Sequence, residues 1–113
     1  MNDISPQLQN QITQFQQVQQ QLQTVASQKM QMEAQRRELE RSKEELSRSS
    51  GDVYKNVGAL LIKADSKETL LAEIEETAET LGIRIKALDR QEKGLREKFT
   101  SLQETINKAM GSQ

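Results

Sequence analysis

The sequence predicts a mainly α fold: a long antiparallel two-helix coiled coil linked by one short β-hairpin that assembles into an intersubunit β-barrel. Three observations predict it. Two stretches, about residues 6–48 and 66–110, carry heptad-spaced apolar residues with few helix breakers. Between them DVYKNVGALLIKAD, residues 52–65, holds the only Tyr, one of the five Gly and the longest apolar run, Ala59 to Ile62. Finally, when the two stretches are paired antiparallel, their heptad rows share one fold-back point at Gly58–Ala59, inside that island.

The first stretch opens at Ser5-Pro6. Serine caps free backbone N–H groups and proline is tolerated in a first turn. Its d row is Val18, Val25, Met32, Leu39 and Leu46. Its a row begins Leu8, Phe15, Leu22 and then turns basic with Lys29, Arg36 and Lys43. The sequence RSSGD, residues 48–52, is a stop signal.

The island suits two short strands, VYKNV and ALLIKA, around a tight turn at Gly58. Fourteen residues are more than a helix–helix turn needs, which disfavours a merely apolar connector. A lone two-stranded hairpin is marginal in water and leaves two unpaired edges. Leu60, Leu61 and Ile62 are consecutive, so they point to both faces, and one hairpin cannot bury both. The island is therefore read as an oligomerisation element built from Val53, Tyr54, Val57, Gly58, Leu60, Leu61 and Ile62.

The second stretch starts at Asp65 or Ser66 as N-cap, with Glu68 in the first turn. One core row is Leu71, Ala78, Ile85, Glu92, Phe99 and Ile106; the other is Ile74, Leu81, Leu88, Leu95, Leu102 and Ala109. Gly82 and Gly94 are its weak points. The shared fold-back sets Leu8 against Ala109, Phe15 against Leu102, Val18 against Phe99 and Leu46 against Leu71. Each arm is then about 60 Å long at 1.5 Å per residue. Glu92 falls opposite Val25, one turn from Lys29. It is read as a solvated flaw in a half-exposed seam rather than as a register-selecting core residue. The basic a positions are expected to pair with Glu on neighbouring faces.

Composition limits the function classes. With 113 residues the chain suits one domain, residues 1–113. Sixteen basic residues against 17 acidic ones leave no basic excess for nucleic acid. The chain has neither Cys nor His. Disulfides, thiolate metal sites and the commonest general base and metal ligand are thereby excluded. GxGxxG and GxxxxGK[ST] do not occur, and Ser or Thr has no His to act with, so no enzyme, cofactor or metal site is expected. No stretch approaches a membrane span and no signal peptide is evident, so a cytoplasmic protein is expected.

The string VYKNVGALLIKAD, with LGIRIKALDRQEKGLREKFTSLQETI at residues 81–106, resembles the β class of the prefoldin family, the chaperone also called the Gim complex. The likeness extends over essentially the whole chain and points to an archaeal member. It implies a hexamer of two α-class and four β-class subunits whose hairpins form a double β-barrel carrying six coiled-coil tentacles. It also implies ATP-independent capture of unfolded proteins at the tentacle tips, with transfer to a group II chaperonin. The residues agree with such tips. Residues 4–28 contain no charged side chain, and 11 of them are Gln. The tip set is Ile4, Leu8, Ile12, Phe15, Leu102, Ile106 and Met110. Leu8, Phe15 and Leu102 serve equally well to finish the seam, whereas Ile4, Ile12 and Met110 are read as exposed. The competing function is a structural coiled-coil spacer or tether that oligomerises through its hairpin, for which polar tips or a specific docking motif would be expected.

Overall fold

The computed structural model describes residues 4–111. In chain order they form helix α1 (Pro6–Arg48), strand β1 (Tyr54–Val57), strand β2 (Leu60–Lys63) and helix α2 (Lys67–Gly111). The two long helices and the single hairpin read from the sequence are both present.

Each boundary has a local chemical cause. Ser5 caps α1: its hydroxyl accepts the Leu8 N–H at 3.1 Å and its carbonyl accepts the Gln9 N–H at 2.9 Å. Pro6 then occupies the first helical position, where its missing N–H costs nothing. At the other end the Ser49 N–H donates to the Glu45 and Leu46 carbonyls, and Gly51 turns the chain at a φ of 88°. Ser66 rather than Asp65 caps α2, its hydroxyl accepting the Thr69 N–H at 3.0 Å. α2 runs through Gly82 and Gly94 without a break.

The hairpin pairs Tyr54 with Lys63, Lys55 with Ile62, Asn56 with Leu61 and Val57 with Leu60. Gly58 sits at a φ of 59° while Ala59 stays in the negative region. That is the pattern of a type II′ turn, whose twist matches that of the flanking strands. The Ala64 N–H donates to the Val53 carbonyl at 2.9 Å and extends the pairing by one step.

The chain divides into two compact units. Among the described residues the first comprises residues 4–30 and 87–111, the second residues 31–86. In the first unit Val18 and Val25 form the buried centre. The Phe15 ring stacks on Phe99, with centroids 4.6 Å apart and planes 28° apart. The sequence pairing set Phe15 against Leu102 and Phe99 against Val18. A seam residue enters a hole bounded by several partner residues, and within that hole the aromatic pair is the favoured contact.

In the second unit Val53, Ala78, Leu81 and Ile85 are buried. The guanidinium of Arg36 lies across Gly82, its Cζ 3.3 Å from where a Cβ would stand. Most other core-row residues of both units, such as Leu22, Leu39, Leu71 and Leu95, are only half-buried, as expected of two helices sharing one seam.

Candidate functional site

Two surfaces account for the positions singled out in the sequence. The first is the hairpin, in the second unit. Because side chains alternate along a strand, the register puts Tyr54, Asn56, Leu61 and Lys63 on one face and Lys55, Val57, Leu60 and Ile62 on the other. Leu61 is 67% exposed on the first face and Leu60 is 64% exposed on the second. Tyr54, Val57 and Ile62 are also exposed. A two-stranded sheet with large apolar groups in water on both faces has no internal partner left to cover them.

Both edges are open as well. The pair next to a two-residue turn exchanges its backbone hydrogen bonds, and bonded and unbonded pairs then alternate. The bonded pairs are therefore Val57–Leu60 and Lys55–Ile62, in phase with the observed Ala64 to Val53 bond. The N–H and C=O groups of Tyr54 and Asn56 point out from one edge, and those of Leu61 and Lys63 from the other.

The foot of the hairpin is tied to the helices. Val53, grouped by sequence with the oligomerisation residues, is itself buried and anchors β1. Lys55 reaches Glu73 at 3.5 Å, and Lys63 reaches Asp52 at 3.5 Å. Lys67 donates to the carbonyls of Ser47 and Ser49, each at 2.9 Å. The sequence reading overlooked Lys67. The signal was a cation in the first turn of α2, where the helix dipole favours acids.

The second surface belongs to the ends of the two helices, in the first unit. Ile4 is 50% exposed and Met110 is 56% exposed. Leu8, Ile12, Phe15, Leu102 and Ile106 are half-buried. Ile12, expected to stand clear of the seam, is thus partly covered. The α1 portion, residues 4–28, is free of charge and rich in Gln.

Of the charged residues in the core rows, Lys29 and Lys43 pair with Glu as the sequence leads one to expect, whereas Glu92 and Arg36 do not follow the expectation. Lys29 lies 2.7 Å from Asp89 and 3.0 Å from Glu92, and Arg96 lies 3.5 Å from the other Glu92 oxygen. The Glu92 side chain is only 14% exposed, so it is a covered, partnered carboxylate and not a solvated flaw. Asp89, one helical turn before Glu92, supplies the second acceptor that makes the arrangement work. Hydrogen bonds to Asp89 first and Glu92 second hold the Lys29 ammonium above its ordinary value. The bond from Lys29 holds the Glu92 carboxyl below its own, against the opposing effect of desolvation. Lys43 is raised in the same way, chiefly by its hydrogen bond to Glu75 at 2.8 Å. Arg36 has no carboxylate within ion-pair distance among the described residues; it covers Gly82 instead.

Among the described residues no group of three His, Cys, Asp or Glu could hold a metal ion, and no helix is long and apolar enough to cross a membrane. The surfaces on offer are thus edges, apolar patches and an uncharged helix end.

The family model of the prefoldin subunit matches residues 9–113. The chain is 46% identical to the prefoldin subunit beta of Methanosarcina acetivorans over 112 residues, 97% of this chain and 95% of that one. It is 44% identical to the prefoldin subunit beta of Archaeoglobus fulgidus over 115 residues, 100% and 98% of the two chains. Its fold is similar to the crystal structure of the prefoldin beta subunit from Thermococcus strain KS-1, with a TM-score of 0.85, 39% identity and 96% of each chain covered.

Proposed function

We propose how this chain, which belongs to the prefoldin subunit family and is a chaperone subunit, divides its work between two surfaces. The hairpin assembles with hairpins of other prefoldin subunits, and the helix ends hold unfolded protein. In the arrangement the family implies, two α-class and four β-class subunits join their hairpins into a double β-barrel. This chain supplies one β-class hairpin to it. The observation that carries the assembly reading is the hairpin's exposure of Leu60 and Leu61 on opposite faces beside open edges. Partner strands satisfy the edge N–H and C=O groups, and barrel closure covers both apolar faces.

Client capture is assigned to Ile4, Leu8, Ile12, Phe15, Leu102, Ile106 and Met110. Exposed apolar side chains on an uncharged helix end bind exposed apolar segments weakly and without sequence preference. Nothing in this needs a nucleophile, a phosphate site or a cofactor, so the subunit acts as an ATP-independent holdase and not as an enzyme. It works in the cytoplasm and passes its clients to a group II chaperonin.

The test removes residues 1–12 and 104–113 and follows aggregation of a denatured test protein by light scattering. Protection should be lost while the oligomer keeps its mass. A trimmed oligomer that still protects refutes the assignment of capture to the helix ends, and favours a role for the chain as a spacer.

A further inference from the structure

Lys67 is the first residue of α2, directly after the Ser66 cap. A cation there opposes the dipole of its own helix, whose N-terminus favours acids. Its amine is directed elsewhere: it donates to the carbonyls of Ser47 and Ser49, both at 2.9 Å. Ser47 lies in the last turn of α1, where four carbonyls lack helical partners. Ser49 itself takes the Glu45 and Leu46 carbonyls with its N–H, and the Leu46 carbonyl also with its hydroxyl. Lys67 takes the Ser47 carbonyl together with the carbonyl of Ser49, the first residue past the helix.

These two bonds close a loop. Everything between Ser49 and Lys67 is the hairpin and its foot, and the ends of that segment are held at one ammonium group. Within the closed segment Val53 is buried, Asp52 meets Lys63, and Lys55 meets Glu73 on α2. The hairpin therefore leaves the helices from a fixed base. A sheet edge that must meet partner strands in register gains from such preorganisation, because less orientational freedom is lost on association.

We infer that Lys67 is a positioning residue for assembly: it clamps the C-terminus of α1 to the start of α2 and thereby sets the direction in which the hairpin edges are presented. This rests on the reading of the hairpin as the assembly element. Arginine at this position keeps two carbonyl-directed donors, whereas methionine keeps the aliphatic length and loses both the charge and the donors.

The experiment compares the wild-type chain with Lys67→Met and Lys67→Arg. Hydrogen exchange reads the bonded amides of Lys55, Val57, Leu60 and Ile62 in the chain alone. Mass photometry reads its concentration-dependent association with a prefoldin α-class subunit, and circular dichroism follows helix melting. In the Met variant, hairpin exchange should quicken about tenfold and association should weaken about tenfold, with helix melting unchanged. The Arg variant should restore both. Unchanged exchange and association in the Met variant overturn the inference. So does a fall in helix melting without faster hairpin exchange, which would make Lys67 a cap for α1 and nothing more. A wild-type chain that fails to associate refutes the assembly reading itself, and the exchange data then judge on their own whether Lys67 holds the hairpin.

Discussion

Replacing Leu60 and Ile62 together by Asp is the sharpest perturbation of the assembly surface. Both lie on the face they share with Lys55 and Val57, 64% and 40% exposed respectively. Fully burying a Leu or Ile side chain contributes about 1.5–3 kcal/mol. Scaled by what each still exposes, assembly gains about 1–2 kcal/mol from Leu60 and about 0.6–1.2 kcal/mol from Ile62. Losing both weakens each hairpin contact by about tenfold to a few hundredfold at 1.4 kcal/mol per decade. Two carboxylates moved into an apolar interface add several kcal/mol of desolvation on top. The isolated chain already shows most of Leu60 and part of Ile62 to water and puts neither carboxylate into an apolar interface, so its own helix melting should lose less than assembly does. The assay is mass photometry of the variant mixed with a prefoldin α-class subunit, with circular dichroism on the variant alone. The expected result is full helicity with monomers or dimers only. A variant that assembles at wild-type concentrations would refute the argument that the doubly apolar hairpin is what joins the subunits.

Hydrogen exchange should distinguish amides only one residue apart. Tyr54, Asn56, Leu61 and Lys63 should exchange fast in the isolated chain and become protected on assembly, while Lys55, Val57, Leu60 and Ile62 are protected in both; protection confined to one edge would rule out pairing on both sides. The Glu92 carboxyl, depressed by Lys29, contributes stability that is complete above its ordinary value of 4.5 and lost as pH falls through its lowered folded value. Glu92→Gln should flatten that acid limb in thermal melts between pH 6 and pH 2, and an unaltered limb would deny the pair any role in stability. Lys29 behaves in the opposite sense: its raised value makes its contribution complete below 10.5 and lost as pH rises through the folded value, so Lys29→Met should reduce the alkaline limb to the part that Lys43 contributes. Gly94 lies within α2, and nothing stands within 4 Å of the position a Cβ would take there. Gly94→Ala should therefore stabilise the helix by about 1 kcal/mol, read as a higher melting temperature.

Much of the fold was legible because it depends on local and periodic signals. Ser5-Pro6 and Ser66 start helices by hydrogen bonds to residues three positions on, which a sequence displays directly. Heptad rows identify the seam, and Gly58 marks the only place where the hairpin needs a left-handed φ. The features that escaped are set by side chains meeting across the fold. Glu92 reads as a flaw although the heptad pairing sets it one turn from Lys29, because in a half-exposed seam long charged side chains can reach water instead of each other. Its partner, Lys29, lies 63 residues away, and the cluster is completed by Asp89 from outside the core rows. Lys67 is marked in the sequence only by its place in the first turn of α2; its acceptors are backbone carbonyls, which no side-chain pattern names. Val53 reads like the rest of the β-prone island, yet it is buried while its neighbours stand in water. Alternation along a strand separates them only once the depth of the hairpin foot is known.

The distribution of charge links the two proposed surfaces to their different partners. An assembly interface has one correct partner and gains from specificity, so the hairpin combines directional edge hydrogen bonds with charged residues, Lys55 and Lys63, held by named acids at its foot. A capture surface must accept many sequences, and a fixed charge would select among them by sign. Residues 4–28 avoid this by using Gln, which keeps the helix hydrated through neutral donors and acceptors and propagates it well. The same choice removes ion pairs from the α1 portion of the seam up to Lys29, where pairing with Asp89 and Glu92 begins. Beyond that point toward the helix ends, cohesion rests on apolar contacts such as Phe15 with Phe99 and on a buried Val18 and Val25. These are the same kind of contact an unfolded segment offers, so of the side chains that close the seam the half-buried Leu8, Phe15, Leu102 and Ile106, and not the buried valines, are those the proposed capture would engage.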